Sequence, residues 1–178
     1  MAVRLRAGLL AVAVLLAGCG AGAPRSSTPT TRPPLPAGRL PSEISKMVCS
    51  AKAQSELAGP LGVTATVATP TWADDLYSCR YRYSDGSFAL SVKELSSWSQ
   101  TYGYFDGLGT RLGDTSKVTG LGQGAFTTSD GSVVVRKDWK VLLVDVSGLP
   151  SQFGVPATSR ADVAYTIADV ILGCWQGD

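Results

Sequence analysis

The chain contains no histidine. That absence removes Ser-His-Asp and Cys-His catalysis and most zinc sites. What remains for chemistry is carboxylates, hydroxyls beside lysines, and a glycine-rich stretch. Asp74 and Asp75 stand together, and paired carboxyls ~5–10 Å apart across a sugar can hydrolyse a glycosidic bond. Neighbours in an extended segment point to opposite faces, so the pair reads better as a turn. Asp114, Asp130, Asp138 and Asp145 are scattered without calcium-loop spacing. Ser45-Lys46 and Ser116-Lys117 are adjacent, and Ser50-Ala51-Lys52 also misses the Ser-x-x-Lys spacing that puts both groups on one helical face. These serines and lysines are expected as ordinary surface residues. Residues 119–126, TGLGQGAF, resemble a phosphate loop, but such a loop needs Gly-x-Gly-x-x-Gly between a strand and a helix. The sixth position is Ala125, and a strand follows. Gly120, Gly122 and Gly124 are therefore expected to supply positive φ and close backbone approach where the chain enters a sheet. With no nucleophile–base constellation, the chain reads as a non-enzyme without metal or cofactor.

The elements that would position these residues follow from apolar period and punctuation. Ser42 can cap a helix through Ile44, Met47, Val48 and Ala51. A bend near Cys49-Ser50 can split it, and Pro60 and Gly62 end it by about Ala58. Thr64–Ala68 and Leu76–Tyr83 read as strands. Ser84-Asp85-Gly86-Ser87 makes a tight hairpin into Phe88–Glu94, Asp-Gly tolerating positive φ. Ser96–Leu112 reads as a second helix, although Gly103, Gly107 and Gly109 weaken it. Its Trp98, Tyr102, Phe105, Leu108 and Leu112 recur at helical spacing and are expected as the face against the sheet rather than a ligand-binding stripe. Phe126–Ser129 and Ser132–Arg136 flank a second Ser-Asp-Gly-Ser, and Lys137-Asp138-Trp139 turns the chain into Lys140–Val146. Val133–Val135 and Val141–Val144 are apolar on both sides, which suits central strands. Ser159-Arg160-Ala161-Asp162 is a capping box. The helix it opens lines up Val163, Ile167, Val170, Ile171 and Cys174.

The order α-βββ-α-βββ-α predicts an α+β fold, an antiparallel sheet with helices packed on one face. The two SDGS turns lie 45 residues apart, and Leu61-Gly62 and Leu112-Gly113 lie 51 apart. Unequal offsets hint at an old internal duplication rather than a repeat array.

Upstream of this domain the composition changes twice. Arg4 and Arg6 precede an uncharged apolar run, Ala7–Leu16, too short to span a bilayer but suited to a secretory signal. The run ends in Leu16-Ala17-Gly18-Cys19, small residues for a signal peptidase followed by a thiol that can accept a diacylglyceryl group. This closely resembles a bacterial lipobox, which implies cleavage before Cys19 and acylation of its sulfur. Each buried methylene contributes ~0.8 kcal/mol, so two acyl chains exceed ~20 kcal/mol and anchor without a transmembrane helix. Residues 20–41 hold six of the ten prolines among Ser, Thr and Gly, a composition that cannot order itself and makes an extended tether open to O-glycosylation. The single domain expected after it is residues 42–178. Without Arg4, Arg6, Arg25, Arg32 and Arg39, the domain carries 11 basic and 14 acidic residues, net −3. A mildly acidic domain without a basic run argues against nucleic acid as a partner.

Cys49, Cys79 and Cys174 fall in the domain, an odd number for an oxidising compartment. Loop entropy separates Cys49–Cys79 from Cys49–Cys174 by only ~1 kcal/mol. Position favours Cys49–Cys79, because Cys174 sits on an apolar helical stripe where a free thiol packs as a small hydrophobe.

An early Cys beside a helix ending in Leu-Gly, a strand reading Cys79-Arg80-Tyr81, and Gly-Leu-Gly before paired strands follow the lipobox and Pro/Thr tether. Together these features resemble the small cell-envelope lipoproteins of actinobacteria, many of unknown function. The resemblance implies secretion, anchoring and a compact α+β domain, and no catalytic residues; Cys174 departs from its two-cysteine pattern. The expected function is therefore a non-catalytic binding or accessory module on the outer face of the membrane, held by the lipid on Cys19, with an envelope protein as partner. The alternative is a carrier of a lipid or other small apolar molecule, with a carboxylate hydrolase the remotest reading. Trp72, Trp139 and Trp175 lie at predicted element ends, where an aromatic either anchors a partner or closes the core half-buried.

Overall fold

The computed structural model describes residues 33–113 and 116–175. Leu16-Ala17-Gly18-Cys19, the tether up to residue 32, and Asp114 lie outside the described residues.

Serines open each helix as their capping chemistry dictates. Ser42 caps α1 (Glu43–Met47) and Ser50 caps α2 (Ala51–Leu61), so the bend at Cys49-Ser50 does split the first helix. α2 runs past Ala58 because Pro60 lies in its last turn, and Gly62, at φ 65°, ends it in the left-handed region. Four strands follow: β1 (Thr66–Val67), β2 (Thr71–Ala73), β3 (Leu76–Tyr83) and β4 (Gly86–Glu94). Asp74 and Asp75 take φ 52° and 55° in the two-residue turn between β2 and β3, as turn residues should. Ser97 caps α3 (Trp98–Leu112). Then come β5 (Ser116–Val118), β6 (Gly124–Thr127), β7 (Val133–Lys137), β8 (Lys140–Asp145), β9 (Gln152–Phe153) and β10 (Thr158–Ser159). Ser159 caps α4 (Arg160–Cys174) by accepting from Asp162 N and donating to Asp162 Oδ2 at 2.6 Å.

The main sheet is antiparallel throughout, in the order β1-β3-β4-β8-β7-β6-β5, with β2 sharing the β1 edge of β3. The α+β architecture expected from the pattern is present, but the helices do not share one face. α1, α2 and α4 cover the face bearing Cys79, Tyr81, Phe88, Leu90, Val92, Val133, Val135, Leu142 and Val144. α3 covers part of the other, packing Leu108, Tyr104 and Phe105 on Phe126, Val134, Val141 and Leu143. The reason is in the strands: β7 and β8 are apolar on both sides and must be covered twice, whereas β3 and β4 alternate and present Ser78, Arg80, Ala89 and Ser91 on their second face.

α3 is also rotated from expectation. Its inward side carries Thr101, Tyr104, Phe105 and Leu108, while Trp98, Tyr102 and Leu112 of the aromatic row are exposed. Gly103 sits on the exposed side, where an added Cβ meets nothing within 4 Å. Gly103→Ala should therefore raise stability by ~0.5–1 kcal/mol through backbone entropy. The check is a higher denaturant midpoint at unchanged slope; a lower midpoint would show that α3 needs the glycine.

The two SDGS turns are not geometric copies. Tyr83 pairs with Gly86, and Gly86 is outside the positive-φ region; a Cβ there would come within 2.7 Å of Gly148 O. Its use is close approach, not the left-handed turn expected. Gly131 does take φ 88°.

The Cys49–Cys79 disulfide forms as preferred, with Cα atoms 6.0 Å apart, and Cys174 is free. Cys174 is half-buried rather than packed in the core, its thiol donating to Glu56 of α2. Burial first, then the Glu56 carboxylate, push that thiol above its ordinary pKa. Ser45, expected at the surface, is fully buried: its hydroxyl donates to Glu94, which also accepts from Ser42 N at 2.8 Å and so pins α1 to the end of β4.

Candidate binding groove

The second face of the sheet is only partly roofed, and the roof stops short of the β5 edge. Between the C-terminal half of α3 and strands β5 and β6 lies a groove of about 570 Å³. Its floor is Phe126 and Ala125, its helix wall Phe105, Gly109 and Thr110, and its outer wall Lys117, Val118 and Thr119. Phe105 and Phe126 meet edge to face, ring centroids 4.9 Å apart, and form an apolar base. Gly109 keeps the groove open: its Cβ position would be 3.8 Å from the Phe126 ring, so any longer side chain projects into the space. Asp106 and Lys117 place opposite charges at the rim, both exposed.

Arg136 lies beside two of the lining residues, Gly124 and Phe105. It is 9% exposed, its guanidinium 4.3 Å from the Tyr102 ring centroid and 5.8 Å from that of Phe105. Nη2 donates to Gln123 O at 2.7 Å, while Nε has no hydrogen-bond partner among the described residues. Gly124 lets the guanidinium lie this close, since a Cβ there would be 3.1 Å from Nη2. Nearby, burial pushes the Tyr104 phenol above its ordinary pKa, with the Arg111 charge opposing.

The glycine-rich stretch is a bend. Gly120 and Gly122 take φ 86° and 53°, and Gln123 N donates to Arg136 O at 2.8 Å, so the segment lies down on β7 before β6 begins. No helix follows to offer its amides.

The expected tryptophans divide. Trp175 takes the core side of the two expected roles, 1% exposed where the last turn of α4 meets the sheet, and so anchors no partner. Trp72 and Trp139 are half-buried, and Trp72 Nε1 donates to Arg39 O at 3.1 Å. The exposed tryptophan is Trp98, 39% exposed, which helical spacing assigned to the core.

The acids have local structural roles. Asp75 reaches Lys93 Nζ at 4.0 Å, and Asp145 accepts from Ser147 N at 3.0 Å. Asp130 accepts from Thr128 Oγ1 and from Ser132 N. Desolvation pushes the Asp130 carboxyl up, but those hydrogen bonds and the Arg160 charge outweigh it and hold the group below its ordinary pKa. Among the described residues no group of three or more His, Cys, Asp or Glu could hold a metal ion.

The groove was not legible in the sequence, because it depends on where α3 stops covering the sheet beside the three-residue edge strand β5. Comparison with protein-family models, curated proteins and solved structures finds no match.

Proposed function

We propose that the chain is an extracytoplasmic lipoprotein, anchored through Cys19, whose domain is a non-catalytic binding module using the groove between α3 and β5. The observation that carries the binding reading is a groove of about 570 Å³ with an apolar base and charged rim. That volume lies within the ~300–1,000 Å³ usual for binding pockets. The anchoring reading rests on Leu16-Ala17-Gly18-Cys19 after a short apolar run. Among the described residues, no helix is long and apolar enough to cross a membrane. The resemblance to actinobacterial envelope lipoproteins supports the same reading.

A photoreactive residue at Thr110, on the groove wall, should give a discrete cross-linked envelope species in cells, and the same residue at Thr64, outside the groove, should not. Filling the groove with Gly109→Leu should abolish the adduct without unfolding the domain. Identical adducts from both positions would remove the groove from consideration. Cys19→Ala should move the protein from the membrane to the soluble fraction; unchanged membrane fractionation would sink the anchor.

The Phe105–Phe126 base favours one second reading, carriage of a small apolar molecule. The groove is open along one side, so it suits a single chain or ring rather than a whole enclosed lipid. A stoichiometric lipid in extracts of the purified protein would select this reading over a protein partner.

A further inference from the structure

All four tryptophans lie at one end of the sheet. Trp72 is in β2 beside the start of β3, Trp98 follows β4, and Trp139 is in the β7–β8 turn. Trp175 closes α4, its carbonyl accepting from Lys137 Nζ. The N-terminal segment runs across this same end. Ala37 N donates to Leu95 O at 3.1 Å, Arg39 O accepts from Trp72 Nε1, and Ser42 N donates to Glu94. The folded unit thus begins before Ser42, the boundary expected from composition.

Seven large hydrophobic side chains are exposed among the described residues, and four lie here: Leu35 at 58%, Leu40 at 78%, Trp98 at 39% and Tyr102 at 48%. Trp98 and Tyr102 pack together, centroids 6.1 Å apart. Leu112, Val155 and Tyr165 are dispersed elsewhere. Charges at this end are mixed, with Arg39, Lys93 and Lys137 beside Asp74, Asp75 and Asp138. Recognition would therefore be chiefly apolar and interfacial.

We propose that this end is the face the domain lays on the lipid bilayer, with Trp98, Tyr102, Leu35 and Leu40 seated among the headgroups. The inference rests on the anchoring reading, because position of the chain chooses the occupant. Pro33 is fourteen positions after Cys19. Fourteen residues reach at most ~50 Å, so an acylated Cys19 keeps this end close to the bilayer. Tethering makes docking intramolecular at roughly millimolar effective concentration, so a small apolar surface suffices. Trp and Tyr, with an apolar ring and a polar edge, suit the headgroup level.

The test uses the native lipidated protein on phosphatidylcholine–phosphatidylglycerol vesicles carrying shallow brominated lipids. Co-flotation reads the anchor, and tryptophan quenching reads the docked face. The expected result is flotation with strong quenching, most of it lost in Trp98→Phe, which still floats. Flotation with no quenching, or quenching unchanged in Trp98→Phe, overturns the docked face and leaves the anchor standing. Absence from the floated fraction overturns both.

Discussion

Removing the Cys49–Cys79 cross-link is expected to lower the unfolding free energy by ~3.7 kcal/mol, the chain-entropy value for a loop of this length. The sequence separation is 30 residues. The link ties the α1–α2 junction to the middle of β3, so in the unfolded chain it restricts a segment that holds α2, β1, β2 and the first half of β3. Tyr81 makes a second tie at the same place, its hydroxyl donating to Val48 O at 2.7 Å. That bond contributes only ~1 kcal/mol net, so Tyr81→Phe is the comparator. Both cysteines are buried. The variant should therefore be Cys49→Ala/Cys79→Ala, because serines would bury two hydroxyls and add their own penalty. Urea unfolding of native and variant protein provides the measurement, and the slope should rise as the unfolded state expands. A loss no greater than that of Tyr81→Phe would mean that the loop-entropy account fails for this bridge.

The parts of this fold readable from sequence are those decided locally. Ser42, Ser50 and Ser159 mark helix starts because a side-chain oxygen must meet the first free amides there. β3, β4, β7 and β8 stand out because β-branched and aromatic residues run between turn residues. Short strands such as β2 and β5 carry three pairs each, and only the neighbouring strand makes them strands. α3 shows the limit most clearly. Its largest apolar side chains predict one face, but the patch it covers is made of Phe126, Val134 and Val141, and that patch takes only Phe105 and Leu108 of the row, adding Tyr104 and leaving Trp98, Tyr102 and Leu112 exposed. A helix is oriented by the surface it covers as much as by its own pattern. The double-sided apolar character of Val133–Val135 and Val141–Val144 was the available sign that both faces would be covered. The groove depends on where that cover stops, a tertiary property with no local signature.

The bend before β6 carries the other large expected effect. Gly122→Ala should cost ~3.5–5 kcal/mol, and Gly120→Ala only about 1 kcal/mol, although both glycines have positive φ. The backbone penalty of a left-handed alanine is common to the two. The surroundings differ. A Cβ on Gly120 would meet only the Tyr165 hydroxyl at 3.8 Å, an ordinary contact. A Cβ on Gly122 would lie 2.6 Å from Val135 Cγ1 and 2.7 Å from Arg136 O. Val135 is fully buried in the middle of β7, so the strand cannot yield. The loop would have to lift instead, breaking the bond from Gln123 N to Arg136 O at ~1 kcal/mol and drawing Leu121 from the core at ~1.5–3 kcal/mol. Urea midpoints of the two variants decide the matter. A difference near zero would mean that neither glycine is needed for close approach. A ligand loop predicts the opposite pattern, with both substitutions tolerated by the fold and felt only when ligand is added. The asymmetry between Gly120 and Gly122 is therefore the signature of a backbone bend clamped onto β7 and not of a phosphate cradle.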